Sequence, residues 1–533
     1  MRNPGKELNS SKRMVSGALS LTLSVIIVKL IGFLYKVPLS RILGDEGMGY
    51  FNSAYTVFTF FYMLCSGGIP KAVSILVTEM DVSGKRENAN KILSISLKIF
   101  LAIGIAFSLC LMLLSKNFAS LIENDLSAFS LFCIAPSLAF VSASGVLRGY
   151  LNGKRKLISV AVSEVLDGCI KFVFGLTLSY IAYRKNYAPA VISAFTVLGV
   201  TIGSFVAALF LYISAKIVKN DENTGQNSEG SISTGEIIRG ILRISLPITL
   251  SSAVLGASNM IDLGMLIRRL VASGIGHADA VALYGNYTTL AVPMLNLVGA
   301  LITPMATSAL PELTGLYTLG MRDGFVALEK RLIGICAWFA LPMSFAFIMF
   351  PEEILCLIFD DASAKVAARL LCLLAPSVVF LPMLTIANTA LEAAEKTKLP
   401  LISMSIGIVF KLAAGYVLIG NPDVGIAGAP IGTTLCYAVS LFISLIFVSR
   451  YLGIRLPMFS LLIKPSLVSF ISVGCARLLY DTVCTSQFNA AKFLLSAVAA
   501  ALLYLIISAL ISRKELIGVI DFIKIHKKSK ATL

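Results

Sequence analysis

Residues Ala188–Ala215 read APAVISAFTVLGVTIGSFVAALFLYISA, a run without a single Asp, Glu, Lys or Arg. A helix needs about 20 mostly apolar residues to cross the hydrocarbon core of a bilayer, so this run is long enough to span it. It also contains Gly, Pro, Ser and Thr, as transmembrane helices do. The run therefore predicts a membrane-spanning helix.

The same pattern recurs along the chain, for example at Leu126–Leu147, Val424–Ser449 and Phe493–Ile511. Apolar residues make up 57% of the 533 residues and charged residues only 14%, against about 25% charged in an ordinary soluble protein. These observations predict an all-α integral membrane protein with about fourteen transmembrane helices. The helices are expected near 15–37, 50–76, 92–114, 126–148, 157–182, 188–215, 240–267, 281–308, 331–350, 366–390, 399–419, 425–449, 461–480 and 491–512.

Basic residues are distributed unevenly between the predicted loops. The even-numbered loops and both termini hold most of the Lys and Arg, whereas odd-numbered loops are poorer in them and the loop from Glu352 to Asp361 is acidic. By the positive-inside rule both termini are cytoplasmic, as an even helix number requires. The formal net charge of +16 is then explained by topology and by anionic lipid headgroups rather than by a nucleic acid. We expect a multi-pass protein of the cell membrane.

The chain also repeats itself. Ile134–Phe140 (IAPSLAF) matches Leu374–Phe380 (LAPSVVF) at an offset of 240 residues, and the same offset relates Lys171 to Lys411. This repeat predicts two pseudo-symmetric six-helix lobes plus two extra C-terminal helices, an arrangement typical of transporters that rock about a central site. The predicted divisions are an N-lobe at 1–218, a polar cytoplasmic linker at 219–237, a C-lobe at 238–452, and helices thirteen and fourteen with a basic tail at 453–533.

Several charged residues fall inside or at the ends of predicted helices, where charge is costly and indicates function. Seven cations are candidates for a site that binds an anionic headgroup between the lobes: Lys29, Lys36, Arg41, Arg268, Arg269, Lys171 and Lys411. Asp262 is a candidate cation-coupling site or a partner of a neighbouring arginine. Two alternatives remain open. Lys36 and Arg41 would reach the membrane interface as snorkelling side chains, and Lys171 would pair with Glu164 on the same helical face.

Glycine and proline interrupt three predicted helices, at Ser66–Pro70, Leu246–Pro247 and Pro293. Such breaks survive in membranes where neighbouring groups satisfy the freed backbone, and they serve either as hinges or as kinks. The chain has no Walker sequence, no dinucleotide fingerprint and no HExxH motif, and it has two histidines. We therefore expect no enzyme activity, no metal site and no cofactor.

One set of motifs is recognisable as a family pattern. It comprises KLIGFLYKVPLSRILGDEG at Lys29–Gly47, GGIPKAVS at Gly67–Ser74, LRGY at Leu147–Tyr150, ALYGNY at Ala282–Tyr287 and GIAGAPIGT at Gly425–Thr433. With these motifs, the sequence resembles the stage V sporulation protein B and polysaccharide-biosynthesis branch of the multidrug/oligosaccharidyl-lipid/polysaccharide exporter superfamily, over nearly the whole chain.

The resemblance implies a flippase. It implies fourteen helices around a cationic central cavity, with a groove for the lipid tail on the last two. The implied substrate is lipid II or another undecaprenyl-pyrophosphate glycan, moved from the cytoplasmic to the outer leaflet by alternating access for cell-wall, spore-cortex or polysaccharide synthesis. The implied energy source is the membrane potential or a gradient of a coupling cation, Na⁺ or H⁺.

Related flippases often carry Arg on helix eight, where this chain has Tyr287–Thr289, and Arg268 and Arg269 are the candidate replacements. The alternative function is a cation-coupled multidrug antiporter of the same superfamily. Such proteins usually stop at twelve helices and favour acidic cavities. An enzyme would need a larger external loop, and a scaffold for sporulation or division machinery stays open. Expected partners are the lipid-linked glycan, membrane lipids and proteins of cell-wall synthesis.

Overall fold

The computed structural model describes residues 4–83, 85–222, 233–359, 361–453, 458–483 and 490–511. Within these ranges the chain is helical almost throughout and contains no β-strand. Most of the predicted polar linker, together with Arg455 and the basic tail beyond Ile511, lies outside the described residues. The all-α fold predicted from the sequence is confirmed.

The first compact unit comprises Met1–Val271 and Gly276–Gly285. To within a residue at its edges, it holds α1 (Pro4–Ser66), α2 (Ile69–Val82), α3 (Arg86–Leu113), α4 (Ser115–Leu121), α5 (Ala128–Ile134), α6 (Ser137–Gly153), α7 (Leu157–Arg184), α8 (Pro189–Glu222), α9 (Thr234–Ala272) and α10 (His277–Asn286).

The second unit comprises Ala272–Ile275 and Asn286–Leu533. After a π-helical turn at Tyr287–Ala291, its helices are α11 (Val292–Thr318), α12 (Arg322–Met349), α13 (Pro351–Cys356), α14 (Asp361–Leu374), α15 (Ser377–Ala393), α16 (Lys398–Ile419), α17 (Gly428–Leu452), α18 (Met458–Val483) and α19 (Ala490–Ile511). In this conformation α9 and most of α10 pack with the first unit, although they follow the polar linker. The lobe boundaries drawn from the internal repeat stay a prediction.

Each of the fourteen predicted segments is helical. In the described part of the chain, nine helices are long and apolar enough to cross a membrane, or up to eleven if each of two bent pairs is one span. The number fourteen stays a prediction. The first predicted helix and residues 50–66 of the second form the single long element α1, which is kinked at Gly44, where φ is 66°. That left-handed backbone conformation favours glycine because it has no Cβ to clash.

The internal repeat has a counterpart in backbone geometry. A bend of 44° separates α5 from α6 at Ala135–Pro136, and a bend of 44° separates α14 from α15 at Ala375–Pro376. The turns that follow also match, since Arg155 (φ 56°) and Glu395 (φ 61°), related by the same offset of 240, both adopt the left-handed conformation. Similar sequence strings are therefore associated with the same bent pair of helices in each unit.

The three predicted breaks have different outcomes. The helix ends at Ser66 and restarts at Ile69, with Pro70 in the first turn of α2, a position where proline loses no helical hydrogen bond. Pro247 lies inside the uninterrupted helix α9. Pro293 lies in the first turn of α11, directly after the π-helical turn. Only the first of these positions separates two helices by a non-helical step.

Candidate functional site

Two charges of opposite sign lie one turn apart on α7. The Nζ of Lys171 donates a hydrogen bond of 2.7 Å to Oδ2 of Asp167, and both side chains are partly buried. The expected alternative partner, Glu164, instead accepts a 3.0 Å hydrogen bond from the hydroxyl of Ser24 on α1. The predicted pairing of Lys171 with Glu164 is therefore wrong. A spacing of four brings side chains together on a helix as well as a spacing of seven does, and at closer range.

Glycines on α8 make room for this pair. A Cβ added to Gly203 would lie 3.0 Å from the backbone oxygen of Asp167 and 2.8 Å from Cγ of Lys171. One turn earlier, Gly199 lies directly against the backbone of Gly175 on α7. Small residues allow helix backbones to approach closely in membranes. The two charged side chains are thus held between closely packed helices rather than on an open surface.

A cavity of about 240 Å³ adjoins the pair and is bordered by α1, α6, α7 and α8 within the first unit. We call it the N-terminal chamber. It is lined by Tyr55, Phe58, Thr59, Tyr62, Ser66, Val141, Ser144, Arg148, Asp167, Lys171, Ser204 and Ala207.

The chamber lining contains four buried polar atoms that have no hydrogen-bond partner among the described residues. They are Nε of Arg148, Oδ1 of Asp167 and the hydroxyl oxygens of Ser144 and Ser204. Leaving a buried polar group unsatisfied costs about 1–3 kcal/mol, so such groups are normally satisfied by water or a ligand. Four such atoms around one cavity indicate a site that binds water or a polar or charged ligand.

The formal charges of the chamber do not cancel. Asp167 compensates Lys171, and Arg148 forms no ion pair with any described residue. One positive charge therefore remains uncompensated beside unsatisfied hydroxyl groups. Since the planar guanidinium group presents several donors that match phosphate and carboxylate oxygens, the chamber is chemically suited to an anion.

Arg148 is not among the cations predicted from the sequence to bind an anionic headgroup. The predicted helix four ended at that residue, so its side chain would have reached the interface. The structure continues α6 to Gly153, which places Arg148 more than one turn inside the helix. The signal that could have identified it is the triplet of Arg148, Asp167 and Lys171, three charges within consecutive helices.

The three candidate cations of α1 do not line the chamber. The side chains of Lys29 and Arg41 are exposed and that of Lys36 is half-buried. They are separated from the chamber-lining part of α1, which begins at Tyr55. Lys29 has no hydrogen bond or ion pair with any described residue, so its charge is uncompensated.

Arg268 forms a second ion pair at the end of α9. Its Nε donates a hydrogen bond of 2.9 Å to Oε1 of Glu123, and the ring nitrogen Nε2 of His277 lies 2.7 Å from the backbone oxygen of the same residue. The side chains of Arg268 and Glu123 are 68% and 37% exposed, more than those of Lys171 and Asp167. Arg268 is thus engaged with an acid on the surface of the first unit.

The remaining candidates are distributed over both units. Asp262 and Arg269 are half-buried on α9 of the first unit, and Lys411 is half-buried on α16 of the second. Of all eight candidates, only Lys171 lines the chamber. The predicted cavity between the lobes stays a prediction.

The second unit contains an apolar groove of about 390 Å³. It lies between α12, α18 and α19, so the two helices outside the internal repeat form one of its walls. The hydroxyl of Tyr504 on α19 donates a 2.7 Å hydrogen bond to the backbone oxygen of Trp338 on α12, joining the two walls. The groove is lined by Trp338, Phe339, Pro342, Met343, Ala346, Phe350, Ile354, Val473, Phe493, Ala497, Ala500, Ala501, Tyr504 and Leu505.

A compensated cation lies at one end of this groove. Arg477 on α18 forms ion pairs with Glu353 and, at 3.1 Å, with Asp481, and its Nη1 donates to the backbone oxygen of Met349. The guanidinium group also lies 5.2 Å from the centre of the Phe350 ring. These contacts fix α18 against the end of α12 and hold the groove wall in place.

The polysaccharide biosynthesis protein family has a sequence model that matches residues 14–315, more than half of the chain. The chain belongs to this family. The MatE family model matches residues 247–417 as well. The matches place the chain in the multidrug/oligosaccharidyl-lipid/polysaccharide exporter superfamily that its sequence motifs resemble.

Individual proteins give the same assignment. Stage V sporulation protein B of Bacillus subtilis (strain 168) is 22% identical over 95% of this chain and 98% of its own length. The solved structure of lipid II flippase MurJ, in an inward closed conformation, has a TM-score of 0.72 at 16% identity and covers 93% of this chain and 99% of its own. A multidrug resistance MATE family transporter has a TM-score of 0.63 at 16% identity and covers 82% of this chain and 98% of its own.

The chain is therefore a multi-pass membrane transporter of this superfamily. Its apolar helices and its relatives agree on that point. The relatives are transporters and flippases rather than enzymes.

Proposed function

We propose that this transporter moves an undecaprenyl-pyrophosphate-linked glycan, such as lipid II, from the cytoplasmic to the outer leaflet by alternating access. Such a substrate has two chemically distinct ends, a charged diphosphate with its sugars and a long hydrocarbon chain. A protein that carries it needs a polar, cationic site and an apolar surface. Both kinds of surface are present among the described residues, each within one unit.

The observation that carries the proposal is the N-terminal chamber. Its uncompensated Arg148 and the unsatisfied hydroxyl groups of Ser144 and Ser204 are donors for phosphate oxygens. Charge-assisted hydrogen bonds to such oxygens contribute about 1.5–3 kcal/mol each. Lys171, already neutralised by Asp167, would bind the anion less strongly and would mainly hold the acid away from it.

The apolar groove supports the second half of the proposal. Its lining is almost wholly hydrocarbon and aromatic, so a polyprenyl chain could enter it from the bilayer without desolvating any polar group and would be held by van der Waals packing. The occupant we assign to it is the lipid tail of the substrate, because two helices outside the repeat form its wall.

The competing function is export of a cationic drug. The MATE family transporter is covered over 98% of its own length but covers only 82% of this chain, which leaves a part of this chain without a counterpart. A cationic drug would also meet a net positive chamber, since Arg148 and Lys171 outnumber Asp167. Both observations favour the lipid-linked anion over the cation.

We further propose that both termini are cytoplasmic and that the cycle is driven by the membrane potential or by a gradient of Na⁺ or H⁺. The orientation rests on the positive-inside distribution of Lys and Arg. Proteins of cell-wall or spore-cortex synthesis are the proposed suppliers and acceptors of the substrate.

The proposal is tested by reconstituting the protein in liposomes with labelled undecaprenyl-pyrophosphate glycans and measuring their appearance in the opposite leaflet. The Lys29→Ala variant tests whether cations of α1 contribute to substrate binding outside the chamber. We expect translocation to fall at least tenfold at unchanged expression, because an uncompensated cation at membrane depth is lost.

The matched control is Lys98→Ala, which removes another exposed lysine from a helix of the first unit. This control should keep its translocation rate. Undiminished transport by the Lys29 variant would show that Lys29 does not contribute to substrate binding. Absence of glycan transport by the unmodified protein, with retained efflux of a cationic dye, would overturn the proposed substrate.

A further inference from the structure

Glu329 on α12 is a buried carboxylate that neither the chamber nor the groove uses. Its side chain has 0% of its surface exposed. Neither Oε1 nor Oε2 has a hydrogen-bond partner, and Glu329 forms no ion pair with any described residue. Its neighbours on the same helical face, Phe325, Leu332 and Ile333, are buried apolar residues.

The ionisable groups around Glu329 leave it uncompensated. Glu329 lies two turns from the start of α12, next to the end of α11, where Tyr317 contacts Phe325. The helices packed against α12 are α11, α13, α14, α15 and α18. None of the described acidic and basic side chains of these helices or of α12 itself forms a hydrogen bond with the Glu329 carboxyl group; they are Glu312, Arg322, Asp323, Lys330, Arg331, Glu352, Glu353, Lys365, Arg369, Glu392, Lys464, Arg477 and Asp481.

An isolated ionised carboxylate without water, hydrogen bonds or a counter-ion is strongly disfavoured, and such groups bind a proton instead. A metal cation would require several oxygen ligands, and the described residues hold no cluster of three Asp, Glu, His or Cys side chains that could bind one. A proton needs no further ligand. The surroundings of Glu329 therefore suit a proton better than a metal cation.

We propose that Glu329 is a proton-binding site of this transporter, occupied in the present conformation and emptied when water reaches the carboxyl group. On binding, the proton comes from water of the aqueous phase and forms an O–H bond with a carboxylate oxygen. On release, that bond breaks and the proton returns to water. Proton binding thereby favours the closed packing around α12, and hydration favours release. The coupling of this step to substrate movement rests on the proposed transport function.

The bound proton can be measured without any substrate. We expect the infrared spectrum of the purified protein in lipid at pH 7 to contain the carbonyl stretch of a protonated carboxyl group that is absent from Glu329→Gln. The matched control is Glu312→Gln on the adjoining helix α11, where the carboxylate is exposed and can be hydrated. The control should therefore keep the whole band.

An unchanged band in Glu329→Gln would overturn the proposal, because Glu329 would then be ionised. A band that disappears on adding Na⁺ at constant pH would assign the carboxylate to a metal cation and overturn it as well. If the glutamine variant does not assemble, the pH titration of the unmodified protein decides, since the band must persist well above the titration range of exposed carboxyl groups.

Coupling is measured in a second experiment. In liposomes, a pH gradient should change the rate of glycan translocation several-fold for the unmodified protein and for Glu312→Gln, but not for Glu329→Gln. A pH response retained by the glutamine variant would refute the coupling role. Failure of all three proteins to move the glycan would contradict the proposed substrate and leave the infrared result standing on its own.

Discussion

The two bent helix pairs of the internal repeat have the same bend angle, but the helices in and after them differ in charge. At the offset of 240 residues, the first unit has Arg148, Asp167 and Lys171, and the second has Asn388, Gly407 and Lys411. In the first unit the side chains surround a cavity with unsatisfied polar groups. In the second unit, Oδ1 of Asn388 accepts a 2.9 Å hydrogen bond from Ser444.

Helix packing explains why the acid is present in only one of the two. Asp167 faces Gly203 of the crossing helix, which leaves room for a carboxylate. At the equivalent position Gly407 is itself the small residue, and a Cβ there would lie 2.6 Å from the backbone oxygen of Cys436. The first unit thus has its glycine opposite the charge, whereas the second has it in place of the charge. We infer that both units keep a close helix crossing, and that the position of the glycine decides whether an acidic side chain fits there.

The largest effect should come from making the first unit resemble the second at position 148. We expect Arg148→Asn to lower glycan translocation in liposomes by about tenfold to hundredfold, since one charge-assisted hydrogen bond contributes about 1.5–3 kcal/mol. Arg184→Asn, which removes an exposed arginine at the end of α7, is the control and should transport normally. Equal translocation rates for both variants would show that the chamber is not part of the transport pathway.

A second variant tests the packing argument in the other unit. We expect Gly407→Ala to lower the free energy of unfolding by about 1–3 kcal/mol, because inserting a methyl group into a well-packed contact forces the helices apart. The measurement is the thermal unfolding midpoint in detergent. Gly474→Ala on α18, where an added Cβ has no neighbour within 4 Å, should leave the midpoint nearly unchanged. A tolerated Gly407→Ala would show that position 407 has room for a side chain.

The smallest effect concerns the ion pair of the chamber. The free energy of unfolding is measured for Lys171→Met, for Asp167→Asn and for the double variant. This double-mutant cycle should give a coupling energy of about 1–2 kcal/mol for the ion pair, between the values of exposed and of fully buried pairs. The cycle with Arg268→Met and Glu123→Gln is the comparison, and its more exposed pair should give less than about 1 kcal/mol. The idea that the chamber shields its ion pair from water fails if the exposed pair couples more strongly.

Patterns of local sequence predicted much of the molecule. Uncharged runs such as Ala188–Ala215 predicted helices, and every predicted segment is helical, because in a bilayer the backbone must satisfy its own hydrogen bonds. The glycines of Ser66–Pro70 predicted a break that the structure contains. The IAPS and LAPS strings predicted a repeat, and both produce a bend of 44°.

The same patterns did not predict which charges meet. Lys171 pairs with Asp167 rather than with Glu164, and Arg148 proved to lie inside a helix instead of at its end. The internal repeat also did not predict that α9 packs with the first unit. A repeat shows which segments are similar in sequence, and it does not show which segments are in contact.

The sequence by itself determined that this chain is an all-α membrane transporter, because hydropathy, basic loops and family motifs are properties of consecutive residues. Only the tertiary structure decided that one lysine is neutralised, that one arginine is not, and that Glu329 is buried without a partner. The burial of these groups depends on which side chains face each other where helices cross, and such contacts join residues far apart in the chain.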